Sequence, residues 1–339
     1  MLDIQTPTYF INPNFHLSKG EGISVQDPAT LNHIGNRAVV SEAELNEALA
    51  QVTTAQAKWK VCDAKSRAAV LHALANGIET ADLTECAIIM SREMGKPFPE
   101  AIGELANCAP IFRYYAEMAR DEAGKVAGTT QMGSLQFAKY EPLGVSVHIM
   151  PFNFPVLLMC WTVAASLAAG NGCVIKPAEV TTLSTMEFMK VFTALPEGLV
   201  ACLPGDAEVG KMLVSSHKTH AVAFTGSVAA GQSVAMAAAA KMKPAVIEAG
   251  GSDPMIITAH APIDVAAAGA VTGAFHMTGQ VCTSTERIYV VDSVHGAFVA
   301  AFKAETARLR IGNGLDKSEI GPLVSKAARD KVERLIADA

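Results

Sequence analysis

From about residue 143 onward, short apolar and β-branched runs at 145–150, 173–176, 200–203, 220–224 and 245–248 alternate with helical stretches. Strands separated by helices imply βαβ units and a parallel sheet, so this alternation constrains the fold more than any other feature. The region is read as α/β.

The chain ahead of it has a different period. Ser41 and Glu44 make a capping box, and Leu45, Leu49, Val52, Ala55 and Trp59 recur at spacings of three and four, which puts them on one helix face. Further helices are expected at 65–80 and on to about 118, with a break at Gly95-Lys96-Pro97. Residues 1–40, punctuated by Pro, Asn and Gly, read as an irregular lead-in arm, and 128–140 as an extended arm. A new segment begins with the apolar run 254–257, continues into an Ala-rich helix at 263–276 and returns as a strand at 287–291. The expected division is a first unit over 1–249 and the start of a second α/β unit over 250–339.

At 339 residues the chain is long enough to bury a substantial core. Half the residues are hydrophobic and 18% are charged, which excludes a disordered chain. A net charge of −6 gives no electrostatic reason to expect nucleic acid or an anionic membrane as partner. The apolar run 156–170 contains Thr162 and Ser166 and is shorter than the roughly 18–20 residues of a spanning helix, so it reads as a buried helix. Residues 1–5 show no basic segment leading into an apolar one, which makes a cytoplasmic setting the default expectation. The seven cysteines are scattered with no Cys-x-x-Cys pair, and His217 and His220 have no ligand neighbours, so neither a disulfide framework nor a metal is expected.

Cys282 stands apart from the other thiols. Cys160, Cys173 and Cys202 lie in apolar runs and read as core filler. Cys282 is surrounded by Gly279, Gln280, Thr283, Ser284 and Thr285, a polar loop. Asn153 lies between Pro151-Phe152 and Phe154-Pro155, where two prolines stiffen the backbone around one amide. Glu248 closes the 245–248 run immediately before Ala249-Gly250-Gly251, so its carboxylate is carried at a strand end, where α/β sheets place their ligands. A packed thiol, a turn-forming Asn and a structural Glu are the competing readings. A thiol, an amide and a carboxylate are also the parts that covalent oxidation of an aldehyde requires.

No Gly-x-Gly-x-x-Gly fingerprint exists; Gly170-Asn171-Gly172 and Gly312-Asn313-Gly314 lack the third glycine. The segment from Gly226 and Ser227 to Gly231 follows a strand and opens a helix, whose first N–H groups are suited to a pyrophosphate.

Taken in order, the Pro151–Pro155 segment, Lys176-Pro177-Ala178-Glu179, Phe224-Thr225-Gly226-Ser227, the Glu248 segment and the Cys282 loop resemble the NAD(P)-dependent aldehyde dehydrogenase superfamily. The resemblance implies a parallel-sheet cofactor-binding domain with N-terminal helices over 1–249, including an oligomerisation arm at about 120–142, and an incomplete catalytic domain over 250–339. It also implies Cys282 as nucleophile, Asn153 with the Cys282 backbone N–H as oxyanion donors, and Glu248 as the base that activates water against the thioester. Lys176 and Glu179 would clamp the adenosine ribose. Gly226, Ser227 and Gly231 would border the pyrophosphate, and Phe152, Asn153 and Ala249 would lie toward the nicotinamide. Phe154, Leu158 and Trp161, with Val281 and Thr283, would line a substrate tunnel, although core packing explains the first three equally well.

Phe152 stands where Trp is usual in the family and Ala249 where Leu is usual. Glu179 favours NAD, with NADP also accepted in the family. Members that pass the acyl group to coenzyme A lack the carboxylate at Glu248, so the acid-forming, non-acylating branch is expected. The match runs from about residue 25 to Ala339, and family members continue further, so the chain is expected to be an N-terminal part of such an enzyme. A catalytically incompetent nucleotide-binding remnant and a coenzyme A-acylating enzyme are the alternatives. A small-molecule aldehyde is the expected partner, and a homo-oligomer is expected of a full-length parent but not assigned to this chain.

Overall fold

The computed structural model describes residues 3–20, 22–121, 124–128 and 131–338. Residues 122–123 and 129–130 of the expected arm lie outside the described residues. The chain opens with two hairpins, β1 (Thr8–Ile11) with β2 (Asn14–Leu17) and β3 (Ile23–Gln26) with β4 (His33–Arg37). The lead-in is thus not irregular as expected. Its strands are four or five residues long, and β1 pairs with a strand about 190 residues away, Phe10 opposite Cys202. Pairing that distant leaves no local periodicity to read.

Five helices follow: α1 (Glu42–Trp59), α2 (Ala64–Thr80), α3 (Thr84–Met94), α4 (Phe98–Ala106) and α5 (Cys108–Met118). The capping box forms: Ser41 N–H donates to Glu44 Oε2 at 2.7 Å and Glu44 N–H to Ser41 Oγ at 3.3 Å. Leu45, Leu49, Val52 and Trp59 are buried along one face of α1, as their spacing predicts. α3 stops at Gly95, which has φ +87°, a left-handed cap that glycine adopts without steric penalty.

A short exposed ribbon, β5 (Gly124–Val126) against β6 (Phe137–Lys139), leads into the main sheet. There β7 (Val145–Ile149), α6 (Leu157–Ala168), β8 (Gly172–Lys176), α7 (Thr182–Phe188), β9 (Val200–Cys202), α8 (Ala207–Ser215), β10 (Ala221–Gly226), α9 (Val228–Ala239) and β11 (Ala245–Ala249) alternate as predicted. The strand order is β11-β10-β7-β8-β9-β1-β2, parallel from β11 to β9 with an antiparallel edge. Successive side chains of β8 enter opposite cores: Cys173 and Ile175 join α2, α5 and α6, while Val174 joins α1 and α8. Both faces being covered is why β7, β8 and β9 read as apolar runs.

Beyond β11 a second sheet begins. β12 (Asp253–Ile257) and β13 (Thr285–Val290) pair in parallel across the intervening α10 (Ile263–Phe275), and α11 (Asp292–Thr306) packs on α10. Ile257, Ala267, Ala270 and Phe298 form their buried cluster. α12 (Lys326–Asp338) closes the described chain and buries none of its residues.

Candidate active site

The segments singled out in the sequence leave one edge of the main sheet. Pro151, Phe152 and Asn153 follow β7, Lys176 ends β8, Gly226 ends β10 with Ser227 next, and Glu248 lies at the end of β11. From β7 the chain runs outward to β8 and β9, then returns on the other side of β7 as β10 and β11. Such a reversal opens a crevice at the carboxyl ends of the strands, the usual ligand site of an open α/β sheet.

Cys282 is half-buried in the loop between α10 and β13. That loop is entered through Met277, Thr278 and Gly279, all left-handed with φ of 50°, 60° and 72°. For the two non-glycine residues this conformation costs about 1 kcal/mol or more each and must be held by neighbours. Met277 N–H donates to Glu100 Oε1 at 3.3 Å, Thr278 Oγ1 donates to the Gly321 carbonyl at 2.9 Å, and Gln280 Oε1 accepts from Val324 N–H at 3.0 Å. Cys62 is the other partly accessible thiol. Burial pushes the Cys173 thiol up to about 12 and those of Cys86, Cys108 and Cys202 well above their ordinary value, so these four are inert packing groups.

Asn153 is buried and fully oriented. Its Oδ1 accepts from Phe154 N–H at 3.0 Å, and its Nδ2 donates to the Gln280 carbonyl at 2.9 Å, two residues before Cys282. Nδ2 carries two hydrogens, so one remains for a ligand.

Glu248 reaches the same region by backbone continuity. Three residues on, an added Cβ at Gly251 would stand 2.8 Å from the Cys282 carbonyl oxygen, and Asp253 pairs with Thr285. Glu248 is exposed, on the same open face of β11 as Val246.

The residues named for a substrate tunnel do not lie on one element. α6 starts at Leu157, so Phe154 belongs to the preceding loop, tied on by Leu158 N–H donating to the Phe154 carbonyl at 3.1 Å. Leu158 and Val281 are half-buried, Thr283 is exposed and Trp161 is 50% exposed.

The aldehyde dehydrogenase family profile matches residues 15–339. The chain belongs to the aldehyde dehydrogenase family. It is 35% identical over 327 residues to the α-ketoglutaric semialdehyde dehydrogenase of Bacillus subtilis, covering 95% of this chain and 67% of that protein. A crystal structure of an NADP-dependent enzyme of E. coli superposes with a TM-score of 0.94 at 31% identity, covering 99% of this chain and 70% of that one. The crystal structure of PnpE in complex with nicotinamide adenine dinucleotide gives 0.93 at 31% identity, covering 98% and 69%. This aldehyde dehydrogenase chain thus spans about two thirds of the length of the relatives it matches.

The dehydrogenase's crevice has donor chemistry suited to a dinucleotide. Ser227 caps α9, accepting from Ala230 N–H at 3.3 Å, and the first residues of that helix are exposed with their N–H groups at its positive end. Gly231, expected beside the pyrophosphate, lies one turn into α9 and is buried; a Cβ there would meet Ile247 Cγ2 at 3.0 Å and Phe224 Cε1 at 3.3 Å. Close helix–strand packing accounts for that glycine. Burial draws the Lys176 ammonium below its ordinary pKa while Glu179 opposes the shift. Glu179 pairs with Arg37 at 3.6 Å, and Arg37 Nη1 is buried without a partner among the described residues. Both line a groove of about 860 Å³ that runs to Pro322 and Ser325.

Sequence reading missed the support beneath Asn153. Lys96, taken only as part of a helix break, is fully buried against Glu104, and its Nζ donates to the Asn153 carbonyl at 2.7 Å. The signal available was ionic residues inside an apolar helical block, which are seldom buried unless paired. Among the described residues no helix is long and apolar enough to cross a membrane.

Proposed function

We propose that this aldehyde dehydrogenase oxidises an aldehyde to its carboxylic acid, with Cys282 as nucleophile, Asn153 as oxyanion donor and Glu248 as base. The observation that carries the reading is the joining of three distant segments at one sheet edge: Asn153 hydrogen-bonded to Gln280, and Gly251 against Cys282. In this reading residues 1–249 carry the cofactor, residues 250–339 carry the nucleophile, and the 120–142 segment serves assembly.

Cys282 Sγ adds to the aldehyde carbon, and the carbonyl oxygen takes up the negative charge. The free N–H of Asn153 Nδ2 and the Cys282 backbone N–H receive it. A nicotinamide held toward Phe152, Asn153 and Ala249 would supply the hydride acceptor, and loss of the hydride from the tetrahedral adduct leaves a thioester on Cys282. Glu248 takes a proton from water, the water oxygen adds to the thioester carbon, and the acid departs as the Cys282 thiolate is released. The exposure of Glu248 gives it ready access to that water.

The cofactor is NAD or NADP. Lys176 and Glu179 would hold the adenosine ribose, and the first N–H groups of α9 at Ser227 would hold the pyrophosphate. A Glu179 carboxylate alone disfavours a 2′-phosphate, but Arg37 at 3.6 Å offsets part of its charge, so NADP is admitted beside NAD.

The test is a burst of reduced cofactor with a panel of aldehydes. Cys282→Ser should abolish the burst, and an equal burst would remove Cys282 from the role. Glu248→Gln should keep the burst and lose steady-state turnover; unchanged turnover would remove Glu248.

A further inference from the structure

Beneath the Asn153 loop lies an ion pair that contributes no group to the chemistry just described. Lys96 and Glu104 have side chains 0% exposed and are bonded to each other. Lys96 Nζ also donates to the Asn153 carbonyl at 2.7 Å and stands 4.5 Å from the centre of the Phe154 ring. Glu104 Oε1 accepts from Val156 N–H at 2.9 Å and from Leu157 N–H at 3.0 Å, at the start of α6. One pair thereby holds the Pro151–Pro155 loop at Asn153 and again where it becomes a helix.

Removing two charges from water is expensive, and a well-packed apolar pair of similar volume is often as stable or more so. Stability is therefore weak grounds for keeping the pair, whereas geometry gives a specific one. Asn153 is a donor only if its amide holds one direction, and that direction is set by its carbonyl on Lys96, its Oδ1 on Phe154 N–H and its Nδ2 on Gln280. The same helix, α4, supports the other half of the site: Glu100, four residues before Glu104 and so on the same face, accepts from Met277 N–H at 3.3 Å.

We propose that Lys96 and Glu104 are positioning residues for the oxyanion donor, fixing Asn153 relative to Cys282 from the buried side. The inference rests on the proposed role of Asn153. Neither side chain touches substrate; both act through the backbone of the loop.

The experiment uses the whole protein and compares Asn153→Ala, the double variant Lys96→Met/Glu104→Leu, and the triple. Replacing both charges avoids leaving one buried alone. The double variant should bind NAD or NADP with a Kd within about twofold of wild type. Its burst rate should fall about tenfold or more, as a misplaced catalytic group requires. The triple variant should be no slower than Asn153→Ala. A double variant with the wild-type burst rate, or a triple variant whose loss is the product of the other two, overturns the inference. If Asn153→Ala itself bursts normally, the oxyanion reading fails first and the inference falls with it. Hydrogen exchange at the Val156 and Leu157 amides gives a readout independent of turnover and should accelerate about tenfold or more in the double variant; unchanged exchange overturns the proposal. Should the double variant not fold, Glu104→Gln, which keeps an acceptor for both amides, is put through the same comparisons, with a smaller loss expected and wild-type behaviour overturning it.

Discussion

Asn153 and Gln280 are 127 residues apart in the chain and are joined by a 2.9 Å hydrogen bond from the Asn153 side-chain amide to the Gln280 carbonyl. The bond crosses from the loop after β7 to the loop that carries Cys282. It consumes one of two amide hydrogens and fixes the direction of the other.

That second hydrogen is the basis of the first prediction. Asn153→Ala should lower kcat by on the order of 100–1000-fold, the usual loss for one oxyanion donor, with a much smaller change in cofactor Kd. Single-turnover rates and cofactor titration on the same preparations check it. A rate within a few-fold of wild type would exclude the role.

Gly251 gives a second prediction. A methyl group at this position meets the Cys282 carbonyl at 2.8 Å and Asp253 Oδ1 at 2.9 Å. The Asp253 side chain can turn aside, but the carbonyl belongs to the nucleophile loop and must shift with it. Gly251→Ala should therefore slow the burst by roughly 10–100-fold through displacement of Cys282, since a shift near 1 Å is worth about that much. A stopped-flow burst at wild-type rate would show that the loop accommodates the methyl group.

His276 Nδ1 lies 3.2 Å from Glu100 Oε1, and its pKa is raised, chiefly by that hydrogen bond, with burial opposing. A histidine whose folded-state pKa lies above its unfolded value contributes stability that is complete below about 6.5 and is lost as pH rises through the raised folded value. Lys96 adds a repulsion that moderates the shift, and the Phe154 ring stacks at 6.2 Å. Because the pair is partly exposed, the effect should stay below about 1 kcal/mol. Thermal midpoints of wild type and His276→Gln should therefore differ more at pH 6 than at pH 9. An equal difference at both would mean the ion pair contributes nothing.

The alternation from β7 to β11 is legible because β7, β8 and β9 are covered on both faces and the helices between the strands lie on the sheet, so local composition and tertiary position agree there. The sequence singles out Cys282, Asn153 and Glu248 because polar or ionisable side chains bounded by Pro or Gly stand out from packing residues, and the family resemblance joins them into one set; the fold brings Asn153 to the Cys282 loop through Gln280. Three things were not legible. β1 owes its strand to β9, far along the chain. Glu248 is exposed together with Val246 on one face of β11, and whether a strand face is covered is a matter of tertiary packing and not of the residues around it. Lys96 reads as a surface residue after a glycine until Glu104 and the Asn153 carbonyl are folded over it.

His148 allows the stability of the sheet to be tested apart from the site. It lies in β7, 1% exposed, with Ser146 Oγ 2.8 Å from its Nε2 and Thr162 Oγ1 2.9 Å from its Nδ1. Both ring nitrogens have hydroxyl partners, which suits a neutral ring, and burial pushes its pKa down to about 3. A group whose folded pKa is depressed contributes stability that is present above its unfolded value, about 6.5, and is lost as pH falls toward the folded one. Between pH 6.5 and 3 the unfolded chain takes up a proton that the folded chain refuses, so acid favours unfolding; at pH 5 the loss from this residue is about 2 kcal/mol. His148→Asn removes that titration and retains some hydrogen-bonding capacity, at the expense of a smaller side chain in a packed site. Urea midpoints should show the variant less stable than wild type at pH 8 by roughly 1–3 kcal/mol, with the gap narrowing or reversing at pH 5. A gap that stays the same from pH 8 to pH 5 would mean that His148 takes up its proton as readily inside the sheet as in the unfolded chain.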